Sequence, residues 1–216
     1  GAVICVHLGG WISRGTYELA EVCREANVPL IEDCAHAHGA SLDDRSVGSF
    51  GRLAAYSFFM TKPLTAGEGG MVTSDDRDLV ERIKTIRNYG KTANGMHIER
   101  GFNFRSSEFG AAVGLWAATH ARDLLEERRT LAATYDSLLA DVSAAMPLRV
   151  TGCRSSYYKY VLELDAARRD AVKADLRHLH GIELAGGVYD TLCHEEQWFQ
   201  TCPDRVLNAD GRFPVA

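Results

Sequence analysis

The chain has 216 residues, of which 46% are hydrophobic and 25% are charged, a composition typical of a water-soluble globular protein. Its formal net charge of -5 argues against a surface that binds nucleic acid or anionic lipid, because such surfaces need clustered Lys and Arg. We expect no membrane span and no secretion signal, because the sequence contains no apolar run of about 18 residues. The prediction is a cytoplasmic protein without nucleic-acid or membrane partners.

The six cysteines show no C-x-x-C spacing and too low a density for a disulfide scaffold. We therefore expect reduced cysteines. Six of the eight histidines, His7, His38, His97, His120, His178 and His180, show no metal-ligand spacing either, and we predict no metal site.

The first predicted elements form a β-α-β unit. The all-apolar run 2–6 predicts a parallel strand buried on both faces, apolar positions between 19 and 26 follow helical spacing, and VPLIED, residues 28–33, predicts a second strand. This order implies a right-handed crossover, and ligands of such sheets bind beyond the carboxyl ends of the strands. A buried strand so close to Gly1 leads us to expect that the chain is a fragment of a longer protein.

Two more strands are predicted at 53–58 and 69–74, followed by a helix that ends at Gly90. A long helical pattern then runs from Ser106 or Ser107 toward Pro147, a length that suits a helix bridging two domains. Beyond Pro147 the pattern changes to a strand at 157–164 and a helix between Asp165 and Gly181. We predict that residues 1–146 are part of a large α/β domain with a mostly parallel sheet, and that 147–216 are part of a smaller α+β domain.

Lys62 follows the apolar residues Phe58, Phe59 and Met60 and precedes Pro63. These neighbours predict partial desolvation, which disfavours the charged ammonium and leaves more of the free amine that reacts with carbonyl compounds. The alternative is a lysine that extends from a buried strand end into solvent.

Three further residues stand near predicted strand ends: Asp33, His36 and Ser57. Taken singly, Asp33 is typical of a turn. Together with Lys62 they match the needs of pyridoxal 5'-phosphate (PLP): an amine for its aldehyde, an anion for its ring nitrogen, a flat partner for its ring and a hydroxyl for its phosphate. We predict that these four residues bind PLP, with Lys62 also catalytic.

The motifs EDCAHAHGA, GSFG, SFFMTKPLTAGEGGMVTSDD and GFNFR resemble, in order and spacing, the DegT/StrS family of PLP-dependent sugar aminotransferases. The resemblance covers nearly the whole chain and weakens after residue 147. It implies a fold type I PLP-dependent transferase in which Lys62 binds the cofactor aldehyde, Asp33 pairs with the ring nitrogen, His36 stacks on the ring and Ser57 binds the phosphate.

The resemblance also implies a homodimer with shared active sites, because Asn103 of GFNFR stands where relatives reach the neighbouring subunit's cofactor phosphate. Arg105, Tyr189 and His194 are candidate substrate-binding residues on the same basis. The alternatives are a turn residue for Asn103, a surface ion pair for Arg105 and a structural role for His194. Leu192, Glu196 and Gln197 depart from the family pattern, which leaves the sugar contacts open.

The function implied is transfer of an amino group, from glutamate, to a keto group of a nucleotide-linked deoxysugar, in antibiotic or polysaccharide biosynthesis. Some relatives are dehydratases with histidine in place of the lysine, and Lys62 argues against that branch. An aminotransferase acting on a keto-cyclitol or an aminobenzoate precursor remains open, and so does a non-catalytic PLP-binding regulator.

Overall fold

The computed structural model describes residues 1–143, 145–184 and 195–201. The chain divides into two compact units, Gly1–Glu163 and Leu164–Ala216. The domain boundary that composition predicts near residue 147 falls earlier than this division, and it stays a prediction.

The first unit contains nine strands and four α-helices among its described residues. In chain order they are β1 (Val3–Val6), α1 (Gly15–Glu25), β2 (Leu30–Asp33), β3 (Ser41–Leu42), β4 (Arg45–Ser46), β5 (Leu53–Ser57), β6 (Gly70–Thr73), α2 (Arg77–Arg87), α3 (Glu108–Thr119), α4 (Ala121–Leu139), β7 (Met146–Pro147), β8 (Cys153–Arg154) and β9 (Leu162–Glu163). The second unit contains α5 (Ala166–His180) and α6 (Gln197–Gln200).

The main sheet has the strand order β1-β2-β5-β6. The strands β1, β2 and β5 are parallel, and β6 pairs antiparallel with β5. This confirms the predicted α/β class and the β-α-β start. In the register of the sheet Asp33 lies opposite Val6 on one side and Ala55 on the other, so the carboxyl ends of the three parallel strands meet at one edge.

Within the described residues the first strand is not covered on both faces, so its predicted burial in a longer protein stays a prediction. Strand β1 lies at an edge of the sheet, and Ile4 and Val6 are 65% and 52% exposed. Every second side chain of a strand points to the same face, so an all-apolar run cannot tell which face is covered.

Glu32 lies at the centre of the sheet and is fully buried. Its carboxylate accepts hydrogen bonds from the backbone N–H groups of Gly48, Phe50 and Gly51 at 2.8, 2.6 and 2.6 Å, and from Nε2 of His7 at 2.9 Å. A buried carboxylate is stable only when it is compensated in this way. Glu32 therefore fixes the turn before β5 against β2.

The single long helix predicted from Ser106 or Ser107 is divided at His120. The start agrees with the predicted Ser106 or Ser107, and the Ser107 hydroxyl caps α3 by accepting from Gly110 N at 3.1 Å. At the other end the carbonyl of Trp116 accepts from the Thr119 hydroxyl and from Nδ1 of His120, both at 2.8 Å. The backbone N–H of His120 also donates to this carbonyl at 3.1 Å, but His120 itself has a φ of -104° and a ψ of 12°, outside the helical range, and the helix is interrupted there.

The chain after α4 returns to the first part of the unit. Strand β8 pairs antiparallel with β3, and β7 pairs with β9. The predicted strand at 157–164 is therefore regular only at Leu162–Glu163. The hydroxyls of Ser155 and Ser156 donate to the carbonyls of Gly10 and His36 at 2.8 and 2.7 Å, which holds the following residues beside the end of β2.

Gly10 makes this approach possible. It has a φ of 98°, and a Cβ at this position would collide with the Ser156 hydroxyl. Only glycine combines that backbone conformation with the absence of a side chain.

In the second unit, α5 has the predicted ends. The Asp165 carboxylate accepts from Ala167 N at 2.8 Å, and Gly181 closes the helix with a φ of 64°. Within the part of the chain that the structure describes, no helix combines the length and apolar character needed to cross a bilayer.

Candidate active site

Two neighbouring parallel strands carry candidate site residues at their carboxyl ends. Asp33 ends β2 and Ser57 ends β5, and these strands are paired in register through Asp33 and Ala55. His36 lies in the turn after β2, and Lys62 lies in the turn after β5, where its backbone N–H donates to Phe59 O at 2.9 Å. The strand ends thus gather residues that are far apart in the sequence.

The Asp33 carboxylate is half-buried and held in place at one oxygen. Its Oδ1 accepts a 3.0 Å hydrogen bond from Ala35 N, and its backbone carbonyl accepts one of 3.0 Å from His7 N. Among the described residues no group donates to Oδ2. The second oxygen is therefore available to an incoming N–H donor.

His36 is half-buried and neutral near pH 7. Burial, and after it the charge of Lys62, lowers the pKa of His36, whereas Asp33 acts in the opposite direction. Its Nδ1 accepts from Gly9 N at 3.3 Å, so the proton of the neutral ring lies on Nε2.

Tyr158 belongs to this cluster and was not among the site residues predicted from the sequence. Its ring stacks on His36 with centroids 4.2 Å apart and an interplanar angle of 24°. The Nζ atoms of Lys62 and Lys159 lie 4.8 and 5.4 Å from the centroid of the same ring, and the Tyr158 hydroxyl is 3.1 Å from Thr61 Oγ1. The available signal was the aromatic-rich segment YYKY, which we interpreted only as a strand.

His38 lies behind the cluster and is 4% exposed. Its ring contacts Tyr56 and Phe58, with centroids 5.7 and 5.5 Å away. Neither ring nitrogen makes a hydrogen bond within the described residues. The nearby backbone of Ser57 acts to raise the pKa of His38, but it is a smaller influence than the two that lower it. Burial first, and then the charge of Lys62, lowers the pKa of His38 to about 4.

Ser57 is half-buried, and its hydroxyl oxygen accepts from Phe59 N at 3.3 Å. The hydroxyl proton is not used in this contact. Ser57 can therefore still donate to an anion beyond the strand end.

Asn103 and Arg105 are exposed and pair with each other. Arg105 Nε donates to Asn103 Oδ1 at 2.6 Å, and the guanidinium lies 5.5 Å from the ring centroid of Tyr89. Asn103 also bridges to Asn88 through the backbone. The described contacts of this pair thus do not include the cluster of Asp33 and Lys62. Tyr189 and His194 lie outside the described residues.

Two other features are less suited to chemistry. The ligand atoms of His7, Glu32 and Cys34 lie within 4.8 Å of one another, but the oxygens of Glu32 already accept four hydrogen bonds. A groove of about 410 Å³ between the loop at Gly69 and α3 is lined mainly by apolar and small residues. It contains none of the predicted site residues.

The model of the DegT/DnrJ/EryC1/StrS aminotransferase family matches residues 1–216. The chain belongs to this family. The family resemblance predicted from the sequence motifs is therefore confirmed.

Curated relatives of this DegT/DnrJ/EryC1/StrS chain include an enzyme and a protein with a regulatory name. It is 32% identical over 200 residues to the UDP-N-acetyl-3-dehydro-alpha-D-glucosamine 3-aminotransferase of Acidithiobacillus ferrooxidans, covering 92% of this chain and 53% of the relative. It is 34% identical over 180 residues to a pleiotropic regulatory protein of Geobacillus stearothermophilus, covering 82% and 48%. The chain therefore spans about half the length of these curated relatives.

A solved structure of the family has the same fold. DesV of S. venezuelae matches with a TM-score of 0.83 at 30% identity, covering 93% of this chain and 53% of that chain. The predicted fold type of an aminotransferase is confirmed by this agreement.

Proposed function

We propose that the protein is a PLP-dependent aminotransferase that moves an amino group, from glutamate, to a keto group of a nucleotide-linked deoxysugar. The observation that carries this proposal is the convergence of Asp33, His36 and Lys62 beyond the carboxyl ends of two parallel strands. This is the edge at which open α/β sheets bind their ligands.

The residues of this cluster carry the chemical groups that PLP binding requires. Asp33 offers a free carboxylate oxygen for a ring nitrogen, Ser57 offers a hydroxyl proton for a phosphate, and neutral His36 offers a flat ring. Lys62 is half-buried, and no carboxylate lies within 4.0 Å of its amino group among the described residues. Its amine is therefore not held in an ion pair there.

When bound, PLP supplies an aldehyde that captures amines and a ring that accepts electrons from the carbon that loses its proton. Lys62 would hold that aldehyde and, once released as a free amine, would carry the proton at Nζ between the donor carbon and the cofactor carbon. Asp33 would keep the ring nitrogen protonated through its negative charge. His36 would cover one ring face, and Ser57 would donate to the phosphate.

We further propose a homodimer in which Asn103 serves the partner's cofactor phosphate. The support is the exposure of Asn103 and the fact that its described contacts lie away from its own Asp33 and Lys62. Arg105, which orients the Asn103 amide, would be a positioning residue in that arrangement.

The acceptor proposed is a nucleotide-linked keto sugar because a relative that is 32% identical is named for that chemistry. A non-catalytic regulator is the second candidate, because another relative that is 34% identical bears a regulatory name. The presence of Asp33, Ser57 and Lys62 together argues against a decayed cofactor site, and the reaction with glutamate distinguishes the enzyme from the regulator.

Borohydride reduction tests the proposal. The purified protein loaded with PLP is reduced and digested, and the phosphopyridoxyl group is located by peptide mass spectrometry. We expect it on Lys62. Lys159, which lies beside the same tyrosine ring, is the internal comparison: a label on Lys159 or on any other lysine contradicts the assignment.

A spectrum separates the enzyme from the regulator. Glutamate added to the PLP-loaded protein should reduce the near-visible absorption of the bound cofactor, and a keto acid or keto sugar should restore it. Retention of the absorption in excess glutamate would favour the regulator.

A further inference from the structure

Tyr158 contacts three residues of the candidate site but has no role in the function proposed above. It comes from the segment after β8, whereas Thr61, Lys62 and His36 come from turns at the end of the main sheet. Its hydroxyl and its ring therefore connect parts of the site that are distant in the sequence.

The Tyr158 ring has an aromatic neighbour, the imidazole of His36. His36 stacks on Tyr158 at 4.2 Å, and the carbonyl of His36 accepts from Ser156 Oγ at 2.7 Å. The hydroxyl of Tyr158 is 3.1 Å from Thr61 Oγ1, in the residue next to Lys62. Contacts to both turns fix the ring in position and orientation.

The other contacts of the ring are cationic. Lys62 Nζ lies 4.8 Å from the ring centroid, within the distance at which the negative face of an aromatic ring attracts an ammonium group. Lys159 Nζ lies 5.4 Å from the same centroid. Among the described residues neither amino group has a carboxylate within 4.0 Å, and both lie near the Tyr158 ring.

We propose that Tyr158 is a positioning residue that holds the Lys62 amino group beside the site during the part of amino transfer in which that amine is free. The proposal rests on the function proposed above, because only a lysine that is released and then used as a proton carrier needs such a resting place. The ring face attracts the Lys62 amino group, and the contact of its hydroxyl to Thr61 fixes the ring beside Lys62.

Lys159 distinguishes this role from a general attraction of the ring for any nearby cation. It is exposed and shares the ring, but it lies in a different segment from the turn after β5. If the ring acts on Lys62 specifically, replacing Lys159 by Met leaves the reactivity of Lys62 within about twofold, since the ring remains.

The test varies the electron density of the ring at constant shape. Position 158 is occupied in turn by phenylalanine, difluorophenylalanine and trifluorophenylalanine, introduced biosynthetically into the purified protein. Fluorine withdraws density from the ring face and weakens its attraction for a cation. Tyr158→Phe is the reference, so that loss of the hydroxyl contact to Thr61 is common to the whole series.

The first measurement does not require activity. After removal of PLP, trace reductive methylation with formaldehyde and cyanoborohydride is followed by mass spectrometry for Lys62 relative to exposed Lys91. We expect Lys62 labelling to rise about 3- to 10-fold from phenylalanine to trifluorophenylalanine, because a weaker attraction leaves the amino group less held against the ring and more accessible to the reagent. The same residues at position 160, whose hydroxyl bonds Asp136 away from any of these lysines, serve as the matched control and should leave Lys62 unchanged.

The second measurement uses the PLP-loaded protein. Across the series, kcat for amino transfer should fall about 3- to 10-fold while KM for glutamate stays constant, because proton transfer rather than donor binding is affected. Flat labelling and flat kcat across folded members of the series would overturn the proposal. Borohydride reduction of the same proteins separates the two proposals. If the cofactor is on Lys62, flat labelling and flat kcat refute only the role of Tyr158. If the cofactor is on another lysine, the proposed function itself is refuted.

Discussion

Nε2 of His7 lies 2.9 Å from Oε2 of Glu32, and both side chains are buried in the sheet beside Asp33. Burial raises the pKa of Glu32, but the hydrogen bonds from His7 and from the N–H groups of Gly51 and Gly48 outweigh it, so that the pKa lies below its usual value. Glu32 is therefore an ionised acceptor, and His7 donates to it.

Replacement of Glu32 by Gln should destabilise the fold by about 2–4 kcal/mol, because the amide cannot accept all four hydrogen bonds and its own N–H groups meet donors. Urea unfolding at pH 7 measures this loss. The exposed Glu25→Gln variant is the matched control and should change stability by less than about 0.5 kcal/mol. A loss for Glu32→Gln no larger than for the control would contradict this view of the carboxylate.

The Glu32 carboxylate also predicts how the stability of the fold decreases in acid. Because the pKa of Glu32 in the folded state is lowered from 4.5, its contribution to stability is complete above pH 4.5 and is lost as the pH falls through the folded-state pKa. The Glu32→Gln variant should lack this part of the acid loss, which a series of unfolding curves between pH 6 and pH 3 would reveal.

His38 predicts a second pH range, less acidic than that of Glu32, over which the stability of the fold changes. Its pKa is about 4 in the folded protein against 6.5 as its ordinary value, so the unfolded chain binds more protons between these limits. Stability should therefore increase by about 3 kcal/mol from pH 4 to pH 6.5 and then level off.

His38→Leu should remove most of this increase in stability between pH 4 and pH 6.5. A smaller part should remain, because the pKa of His36 is also lowered. The exposed His178→Gln variant should leave the whole increase unchanged. Lys62→Met should weaken the effect partly, because the charge of Lys62 is the second cause of the shift. A pH profile that persists in His38→Leu would exclude His38 as its source.

Asp33→Asn tests the electronic role of the carboxylate. The substitution removes the charge with little change in shape, and the Oδ1 contact to Ala35 can persist. We expect a loss of about 100-fold or more in the rate of the glutamate half-reaction, measured by stopped-flow absorption, with unchanged unfolding curves. Asp75→Asn, an exposed charge removal, is the control, and near-normal turnover of Asp33→Asn would refute the role.

The shared-site proposal makes a complementation experiment decisive. If Asn103 acts across the interface, a mixed dimer of Lys62→Ala and Asn103→Ala subunits contains one site with an intact Lys62 and a borrowed intact Asn103. Activity should then rise as the subunits exchange. If Asn103 acts within its own subunit, neither site is intact and mixing restores nothing.

The matched control mixes Lys62→Ala with Asp33→Asn. Both residues belong to one cluster of the same chain, so neither site of that mixed dimer is complete and activity should not recover. Subunit exchange is followed with a tagged chain. Exchange without recovery in the Asn103 mixture would argue against the shared site even if the protein is dimeric.

Much of the main sheet was predictable because its signals are local. The apolar runs and the helical spacing between them predicted parallel strands, and the parallel register brings Asp33 and Ser57 to one edge whatever lies elsewhere. The ends of α5 at Asp165 and Gly181 were likewise predictable, because a capping carboxylate and a glycine after the last turn are local signals. The local pattern thus placed Asp33, His36 and Lys62 at or just after strand ends, and the pairing of β2 with β5 brings those strand ends together.

Tyr158 could not be placed in the same way. Its position on His36 and Lys62 depends on the pairing of β8 with β3 and on the hydrogen bonds of Ser155 and Ser156 to carbonyls far earlier in the chain. The edge position of β1 and the interruption at His120 also depend on neighbours that periodicity does not encode. Side-chain alternation specifies which residues share a face, whereas packing between distant segments specifies what that face contacts.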